Sequence, residues 1–391
     1  MGWFKRQRVR VYGIVIAFFL PFVLEAVLRV QDALPVPQQY VTLNRYIPRR
    51  QRENLRRHVY LDEKVFPELP SSFQFSTDSN GFRSRPGTRD KGARGIRVVF
   101  IGGSTTEGSL LDDAVTWPAV ASTLTEDLVG HGIGVADLNM GVPTTNTRDH
   151  VASIAQYVIP RLPDIIVLSV GINDLELHFH PTYNPFRQEA HSSVRFLDWV
   201  AGSDFLNHFY LLRLLRLQKD GDVDWSWTGP RVRLDAGDFV RKNRALRAKL
   251  PYKKLDVAFF PPPEFEQNLR SIVGEVMANN VRIVLMTETW LFQDVVPPET
   301  MSKFWGHETL FKYREGDLDR VLTKYNDVIR KIAREFRLPL VDLERKLPKN
   351  VDYFFDEMHF TPLGARKVAE QLAPILADLI RNKNNQASHS L

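Results

Sequence analysis

Cysteine is missing from all 391 residues of this sequence. Its absence excludes disulfide bonds, thiolate metal sites and a cysteine nucleophile. The sequence also contains no internal repeat, and its net charge of +6 is basic without being extreme. The composition, 43% hydrophobic and 25% charged, is typical of globular proteins. Any chemistry must therefore come from hydroxyl, imidazole, carboxylate and amide side chains.

Long apolar runs are equally scarce, and the clearest one lies near the N-terminus. Residues 11–28 read "VYGIVIAFFLPFVLEAVL", interrupted by Pro21 and Glu25. A membrane-spanning helix needs about 20 apolar residues, with a range of roughly 17–25. The run therefore predicts an uncleaved transmembrane anchor, and a cleavable signal peptide and a buried core helix are the alternatives.

The charges around this run predict an orientation. Basic residues in segment 1–10 favour a cytoplasmic N-terminus, although arginines beyond the run weaken that preference. We therefore expect a single-pass protein of the bacterial cytoplasmic membrane, with its main domain in the periplasm or outside the cell. Residues 29–95 are then a juxtamembrane linker and N-terminal extension, either solvated or in contact with anionic lipid headgroups.

From residue 96 to residue 382, apolar strands alternate with amphipathic helices. The runs "IRVVFIG", "GVADLNMG", "PDIIVLSVG", "VRIVLMTET" and "LPLVDL" are continuous apolar segments, as expected for strands covered on both faces. The alternation predicts an α/β fold with about five parallel strands. Residues 178–262 interrupt it and are interpreted as an insertion or cap, and residues 383–391 as a flexible tail.

Three polar residues at strand ends suggest nucleophilic catalysis. Ser104 follows two glycines after the first strand of the alternation, and Asp356 and His359 follow the fifth. Serine needs an adjacent base, which His359 can supply, and Asp356 can orient the imidazole. Alternatively, Ser104 only caps the following helix. A phosphate-binding loop is disfavoured because residues 102–108 lack the lysine of a P-loop.

Such chemistry also needs donors for an oxyanion. The candidates are the Ser104 N–H, the Gly141 N–H and the side-chain amide of Asn173. Three neighbours are interpreted as supporting residues: Gly103, Asn139 and Asp174.

Two further groups of residues are candidate binding sites. Glu176, His178 and His180 lack a third histidine at suitable spacing, so we expect neither a metal nor any other cofactor. The basic stretch 231–254 is either a solvated face or a binding surface for an anionic glycan or lipid. Nucleic acid is not an expected partner of a domain outside the cytoplasm.

The blocks around Ser104, Gly141, Asn173 and Asp356/His359 occur in the order of the SGNH (GDSL-type) hydrolases, and the chain resembles that family. The segments "GFR" and "GGST" resemble its membrane-anchored bacterial members. The resemblance implies a three-layer, flavodoxin-like fold over residues 96–382 and ester hydrolysis without a metal. One position departs from the family pattern: Gly103 replaces the usual acidic residue before the serine.

The resulting expectation is a membrane-anchored serine esterase that hydrolyses or transfers acyl esters. By analogy with the family, the substrate would be O-acetyl groups on cell-envelope polysaccharide. The alternatives are a lipid or acyl-thioester hydrolase that uses the helix predicted at 205–217 as an acyl cap, an acyltransferase, and a non-catalytic envelope assembly protein that retains the fold.

Overall fold

The structure is a computed structural model of the chain. It describes residues 12, 17–27, 40–41, 47, 49–83, 85, 95–130, 132–179, 183, 232–233, 236–249, 252–306 and 312–388.

The strands form three sheets. In chain order they are β1 (Tyr40–Val41), β2 (Arg50–Gln51), β3 (Arg56–Tyr60), β4 (Ser72–Ser76), β5 (Ile96–Gly102), β6 (Val135–Gly141), β7 (Ile165–Ser169), β8 (Val232–Arg233), β9 (Arg282–Met286) and β10 (Leu340–Val341).

The labelled helices all follow β5. They are α1 (Ser104–Glu107), α2 (Trp117–Val129), α3 (Thr147–Ser153), α4 (Ile172–His178), α5 (Ala236–Arg247), α6 (Pro263–Ala278), α7 (Pro298–Met301), α8 (Glu315–Glu335), α9 (Leu343–Lys346) and α10 (Pro362–Ser388).

The central sheet has five parallel strands in the order β10-β9-β7-β5-β6. The chain starts in β5, adds β6 on one side and then adds β7, β9 and β10 on the other, which is the strand order of flavodoxin-like folds. The predicted α/β fold with a five-stranded parallel sheet is confirmed. The direction of growth reverses at β5, so the carboxyl end of β5 lies at the switch point where such folds bind ligands.

Helices cover both faces of this sheet. On one face α2 packs against α10, and on the other α6 packs against α3 and α8. Because both faces are covered, the apolar run of β5 has no polar alternation, and the side chains of Val98, Val99, Phe100 and Ile101 are fully buried. Helix α8 runs from the carboxyl edge of the sheet, where the parallel strands end, back toward the start of β10.

The N-terminal extension differs from the predicted solvated linker. Strands β3 and β4 pair antiparallel, and the Arg83 backbone forms an antiparallel bridge to Asn139 at the open edge of β6. The Arg83 side chain is 1% exposed and donates to Asp113 Oδ1 (2.8 Å), the Glu107 carbonyl (2.7 Å) and the Gly108 carbonyl (2.9 Å). The basic composition of this segment suggested exposure to solvent. Guanidinium groups can nevertheless be buried when carboxylates and carbonyls accept their hydrogen bonds.

The structure also describes part of the N-terminal apolar run. Of segment 11–28, residues 12 and 17–27 are described, and residues 17–27 are helical. In the part of the chain that the structure describes, no helix combines the length and apolarity needed to cross a membrane.

At the C-terminal end, α10 continues to Ser388, beyond the predicted start of a flexible tail at residue 383. Extending a formed helix costs far less than starting one, and residues 383–388 contain neither proline nor glycine.

Candidate active site

Close packing at the carboxyl edge of the sheet places Ser104 at the start of α1. A Cβ atom on Gly102 would lie 2.2 Å from Thr106 Oγ1, and one on Gly141 would lie 2.1 Å from the Glu107 backbone nitrogen. Only glycine allows such close approach of α1 to the ends of β5 and β6. The glycine corner therefore lets the chain turn directly from a buried strand into the short helix that begins with Ser104.

The structure brings Ser104, His359 and Asp356 into one chain of hydrogen bonds. The distance from Ser104 Oγ to His359 Nε2 is 2.7 Å, and that from His359 Nδ1 to Asp356 Oδ2 is also 2.7 Å. Because an ionised carboxylate can only accept, the network assigns the imidazole proton to Nδ1 and leaves Nε2 to accept from the serine hydroxyl. Ser104 and His359 are 255 positions apart along the chain, and the topology of the sheet brings them together.

Asp356 is held in place by donors on both oxygens. Its Oδ1 accepts from the backbone N–H groups of Met358 (2.8 Å) and His359 (2.7 Å). Its Oδ2 accepts from the indole N–H of Trp305 at 3.0 Å. Sequence reasoning missed Trp305, because it lies 51 residues away in a loop with no recognisable motif. The three donors fix the carboxylate while leaving it facing His359 Nδ1.

In both Asp356 and His359, burial and the nearby opposite charge shift the pKa in opposite directions. Burial favours the neutral form of Asp356, but the neighbouring His359 and the donors to the carboxylate outweigh it and lower the pKa of Asp356. Burial likewise favours neutral imidazole, but the charge of Asp356 outweighs it and raises the pKa of His359 above 6.5. The aspartate therefore stays ionised at neutral pH and stabilises a proton arriving on the histidine.

Two donors face the expected position of an oxyanion. The Ser104 N–H, in the first turn of α1, donates to no acceptor among the described residues. The Asn173 side-chain nitrogen donates to the Thr145 carbonyl at 2.8 Å, which leaves its second hydrogen free. A Cβ atom on Gly103 would lie 2.2 Å from that nitrogen, so the amide sits directly beside the residue that precedes Ser104.

The third predicted donor is already engaged. The Gly141 N–H donates to Asn139 Oδ1 at 2.8 Å, and Asn139 Nδ2 donates to the Thr106 carbonyl at 2.8 Å. Asn139 therefore fastens the end of β6 to α1 in the manner expected of a supporting residue. The Gly141 N–H can reach an oxyanion only as a shared donor, because its own strand supplies an acceptor two residues earlier.

Buried carboxyl groups hold the start of α4, which carries Asn173. Asp174 Oδ1 accepts from the Thr147 backbone N–H at 3.1 Å and from the Thr147 hydroxyl at 2.5 Å. Glu288, at the end of β9, accepts from the Ile172 N–H at 2.6 Å. Burial raises the pKa of Asp174 to about 8 and that of Glu288 to about 7. Sequence reasoning found Asp174 but missed Glu288, whose "TET" context gave no signal.

Of the histidine group, the structure describes Glu176 and His178. His178 Nδ1 contacts the Tyr325 hydroxyl, and burial lowers the pKa of His178 to about 4. His180 lies outside the described residues. No cluster of potential metal ligands occurs in the described ranges.

The insertion is tied to the domain by three arginines of the basic stretch 231–254. Arg241 pairs with Asp62 at 2.8 Å, and Arg244 donates to the Lys303 carbonyl at 3.3 Å. Arg247, 3% exposed, donates to the Gly306 carbonyl (2.6 Å) and Glu315 (2.9 Å). The guanidinium groups of these three residues satisfy acceptors of the fold, so this part of the basic stretch 231–254 contributes structural contacts that neither alternative for the stretch included. The predicted helix 205–217 lies outside the described residues.

The chain was compared with curated proteins and with solved structures. No curated protein matches the chain significantly. An acetylxylan esterase from Geobacillus stearothermophilus is 18% identical, with a TM-score of 0.40 over 73% of this chain and 94% of that one. An acetyl xylan esterase named AlAXEase is 17% identical, with a TM-score of 0.35 over 71% of this chain and 98% of that one.

A family model decides the assignment. The model of the GDSL-like Lipase/Acylhydrolase family matches residues 100–367, more than half of the chain, and the match contains every residue of the hydrogen-bonded chain described above. The protein therefore belongs to the GDSL-like lipase/acylhydrolase family and is a serine hydrolase that acts on ester bonds.

Proposed function

We propose that this protein is a membrane-anchored esterase that removes O-acetyl groups from a cell-envelope polysaccharide. The observation that carries the reaction is the continuous chain Ser104–His359–Asp356, with 2.7 Å at each link. The anchor rests on the apolar run 11–28 and the basic residues before it. The choice of a surface polysaccharide follows from that topology, since a tethered domain outside the cytoplasm meets envelope polymers.

The geometry assigns each residue a step. Ser104 Oγ attacks the ester carbonyl carbon while its proton passes to His359 Nε2, and the carbonyl oxygen becomes an oxyanion facing the Ser104 N–H and the Asn173 amide. Collapse breaks the bond to the sugar oxygen, which takes the proton from His359 and leaves as an alcohol. Water then attacks the acyl-serine with His359 as base, releasing acetate and restoring Ser104. Asp356 stays ionised throughout and stabilises the imidazolium.

The acyl group is tested with the full chain in detergent. Hydrolysis of p-nitrophenyl esters from acetate to palmitate is compared with acetate release from acetylated polysaccharides. We expect kcat/KM to be highest for acetate and to fall as the acyl chain lengthens. A preference for long acyl chains would contradict the proposal and indicate a lipid acylhydrolase.

The anchor is tested separately in cells. We expect the full chain to sediment with membranes and to resist carbonate extraction, and reporter fusions after residue 83 to be active only when the reporter functions outside the cytoplasm. A mature protein beginning near residue 34 would contradict the anchor and indicate a secreted enzyme, without affecting the assignment of the reaction.

Replacing Asn173 with alanine tests the oxyanion donor. One hydrogen of the amide is held by the Thr145 carbonyl and the other can donate to the developing charge, so Asn173→Ala is expected to lower kcat by about 10²- to 10³-fold with little change in KM. The matched control is Asn279→Ala, which removes an amide that donates to a backbone carbonyl (2.8 Å) at the end of α6. A change in KM alone would show that Asn173 binds the ground state of the substrate.

The departure from the family pattern at Gly103 has a physical reason in this structure. Any side chain there would push the Asn173 amide aside, because the added Cβ atom would lie 2.2 Å from it. We therefore expect Gly103→Asp and Gly103→Ala to reduce kcat toward the level of Asn173→Ala, a loss of up to about 10²-fold. If only the aspartate variant is impaired, its charge is responsible; wild-type kcat in both would contradict the steric explanation.

A further inference from the structure

A surface of aromatic and cationic side chains lies beyond α4 and is not used by the mechanism above. We call it the aromatic–cationic surface. Its members are Phe179, Phe259, Tyr313, Lys253, Lys312 and Arg314.

The rings of this surface are stacked and partly exposed. Phe179 stacks on Tyr313 with ring centroids 4.6 Å apart and an interplanar angle of 28°, and it also contacts Phe260 at 5.4 Å. Phe259, the residue before Phe260 in the chain, is 76% exposed. Phenylalanine is usually buried, so an exposed ring beside a partly exposed stack indicates an interaction surface.

The cations lie on a short ribbon beside these rings. The Lys253 N–H donates to the Lys312 carbonyl at 2.8 Å, and the Arg314 N–H donates to the Lys253 carbonyl at 3.1 Å. Lys312 Nζ lies 5.8 Å from the centre of the Tyr313 ring. Among the described residues none of these three cations forms an ion pair, in contrast to Arg241, Arg247 and Arg320. The three charges form no ion pair with a described residue, although Arg314 also acts electrostatically on Asp317, and together they favour an anionic ligand.

The connectivity of α4 and α8 places this surface at the same edge of the sheet as the catalytic serine. Phe179 follows Asn173 by six residues across α4, which corresponds to a rise of about 9 Å. Arg314 immediately precedes α8, at the same carboxyl edge of the sheet as Ser104. A ligand bound here would extend a few sugar units beyond the ester that is cleaved.

We propose that the aromatic–cationic surface binds an anionic polysaccharide that carries the ester, which names the substrate class of the function proposed above and rests on it. The apolar C–H faces of sugar rings pack on aromatic faces, and the carboxylates of uronic acids pair with lysine and arginine. A neutral polysaccharide would leave the three cations unused.

The experiment compares three acetyl esters on the full chain in detergent: p-nitrophenyl acetate, acetylated xylan as a polymer of low charge, and acetylated polygalacturonate as an anionic polymer. The test variant is Lys253→Gln/Lys312→Gln/Arg314→Gln. Each exposed charge contributes little on its own, so we expect the loss of all three to raise KM for the anionic polymer about tenfold at low salt with kcat unchanged. KM for p-nitrophenyl acetate should stay the same.

The dependence of KM on ionic strength and a control variant on the same helix provide two further measurements. Raising the ionic strength should increase KM for the anionic polymer in wild type and much less in the triple variant, because exposed charges are screened within about 8 Å at physiological salt. Arg314→Gln is compared with Arg334→Gln, since Arg334 is exposed near the opposite end of α8, about 30 Å away. Arg334→Gln should leave all three substrates unaffected. Phe259→Ala should raise KM for both polymers and spare the small ester.

The outcomes separate this proposal from the proposed function. If the wild-type protein does not hydrolyse p-nitrophenyl acetate, the proposed esterase function is wrong. If it hydrolyses the small ester but KM for the anionic polymer responds neither to salt nor to the triple variant, the surface proposal is overturned. A triple variant that keeps its polymer KM but loses affinity for vesicles rich in phosphatidylglycerol would overturn it in favour of a membrane contact.

Discussion

Replacing Ser104 with alanine is expected to lower kcat for ester hydrolysis by on the order of 10⁴- to 10⁶-fold. The hydroxyl is placed to attack the carbonyl carbon with a base already in contact, since its Oγ lies 2.7 Å from His359 Nε2. Water cannot replace it efficiently, because the covalent acyl-serine splits one difficult step into two easier ones. The measurement is kcat for p-nitrophenyl acetate, with labelling by a fluorophosphonate as a direct assay of the nucleophile.

Two further variants make this result specific. His359→Ala and the double variant Ser104→Ala/His359→Ala should lose about as much activity as Ser104→Ala alone, because the groups act as one unit. Ser109→Ala is the matched control: its hydroxyl belongs to the same loop and donates to Glu107 Oε2 at 3.1 Å, and it should remain active. Wild-type turnover by folded Ser104→Ala would rule out the serine mechanism.

The parts of the fold that the sequence predicted are those with a local signature. Strands buried on both faces are continuous apolar runs, and β5 with its run "IRVVFIG" is the clearest case. In a parallel sheet the ends of all strands meet at one edge, so Ser104, Asn173 and His359 could be expected to converge before any coordinates were known. Each of these residues follows a predicted strand, and that position in the sequence is enough to predict that they converge.

Contacts between distant segments had no such signature. Gln51 donates to the Gly141 carbonyl at 2.6 Å across 90 residues, yet it lies in a basic stretch that reads as solvated linker. Trp305 reaches Asp356 from an irregular loop, and Glu288 reaches α4 from the end of β9. In each case one side chain satisfies one buried polar group, and nothing in the neighbouring sequence indicates which partner it will meet.

Charge patterning was the least reliable guide. Arg247 and Lys253 belong to the same basic stretch, 231–254. Arg247 is buried and braces the loop that carries Trp305, through its bond to the Gly306 carbonyl, whereas Lys253 is exposed and forms no ion pair with the described residues. The sequence shows a cation in both places, and only the three-dimensional packing decides whether the charge is satisfied internally or offered to a ligand.

Replacing Asp356 with asparagine should cause the second large loss, lowering kcat by about 10⁴-fold. The carboxylate fixes the proton on His359 Nδ1 and raises the pKa of His359 despite its burial. Activity requires neutral His359, so kcat/KM in wild type should fall as the pH drops through that raised pKa. Removing the negative charge lowers the pKa of His359, and the acid limb of the residual activity should therefore move to lower pH.

Two matched variants separate the charge from its placement. Asp352→Asn removes an exposed carboxylate from the same loop and should leave both kcat and the acid limb unchanged. Trp305→Phe removes the 3.0 Å donor to Asp356 Oδ2 but keeps the carboxylate; losing one hydrogen bond to a charged group, roughly 1.5–3 kcal/mol, should lower kcat by at least about tenfold. Its acid limb should stay near that of wild type, because the charge beside His359 is retained. An acid limb that moves in Trp305→Phe but not in Asp356→Asn would show that a group other than the Asp356 carboxylate sets the pKa of His359.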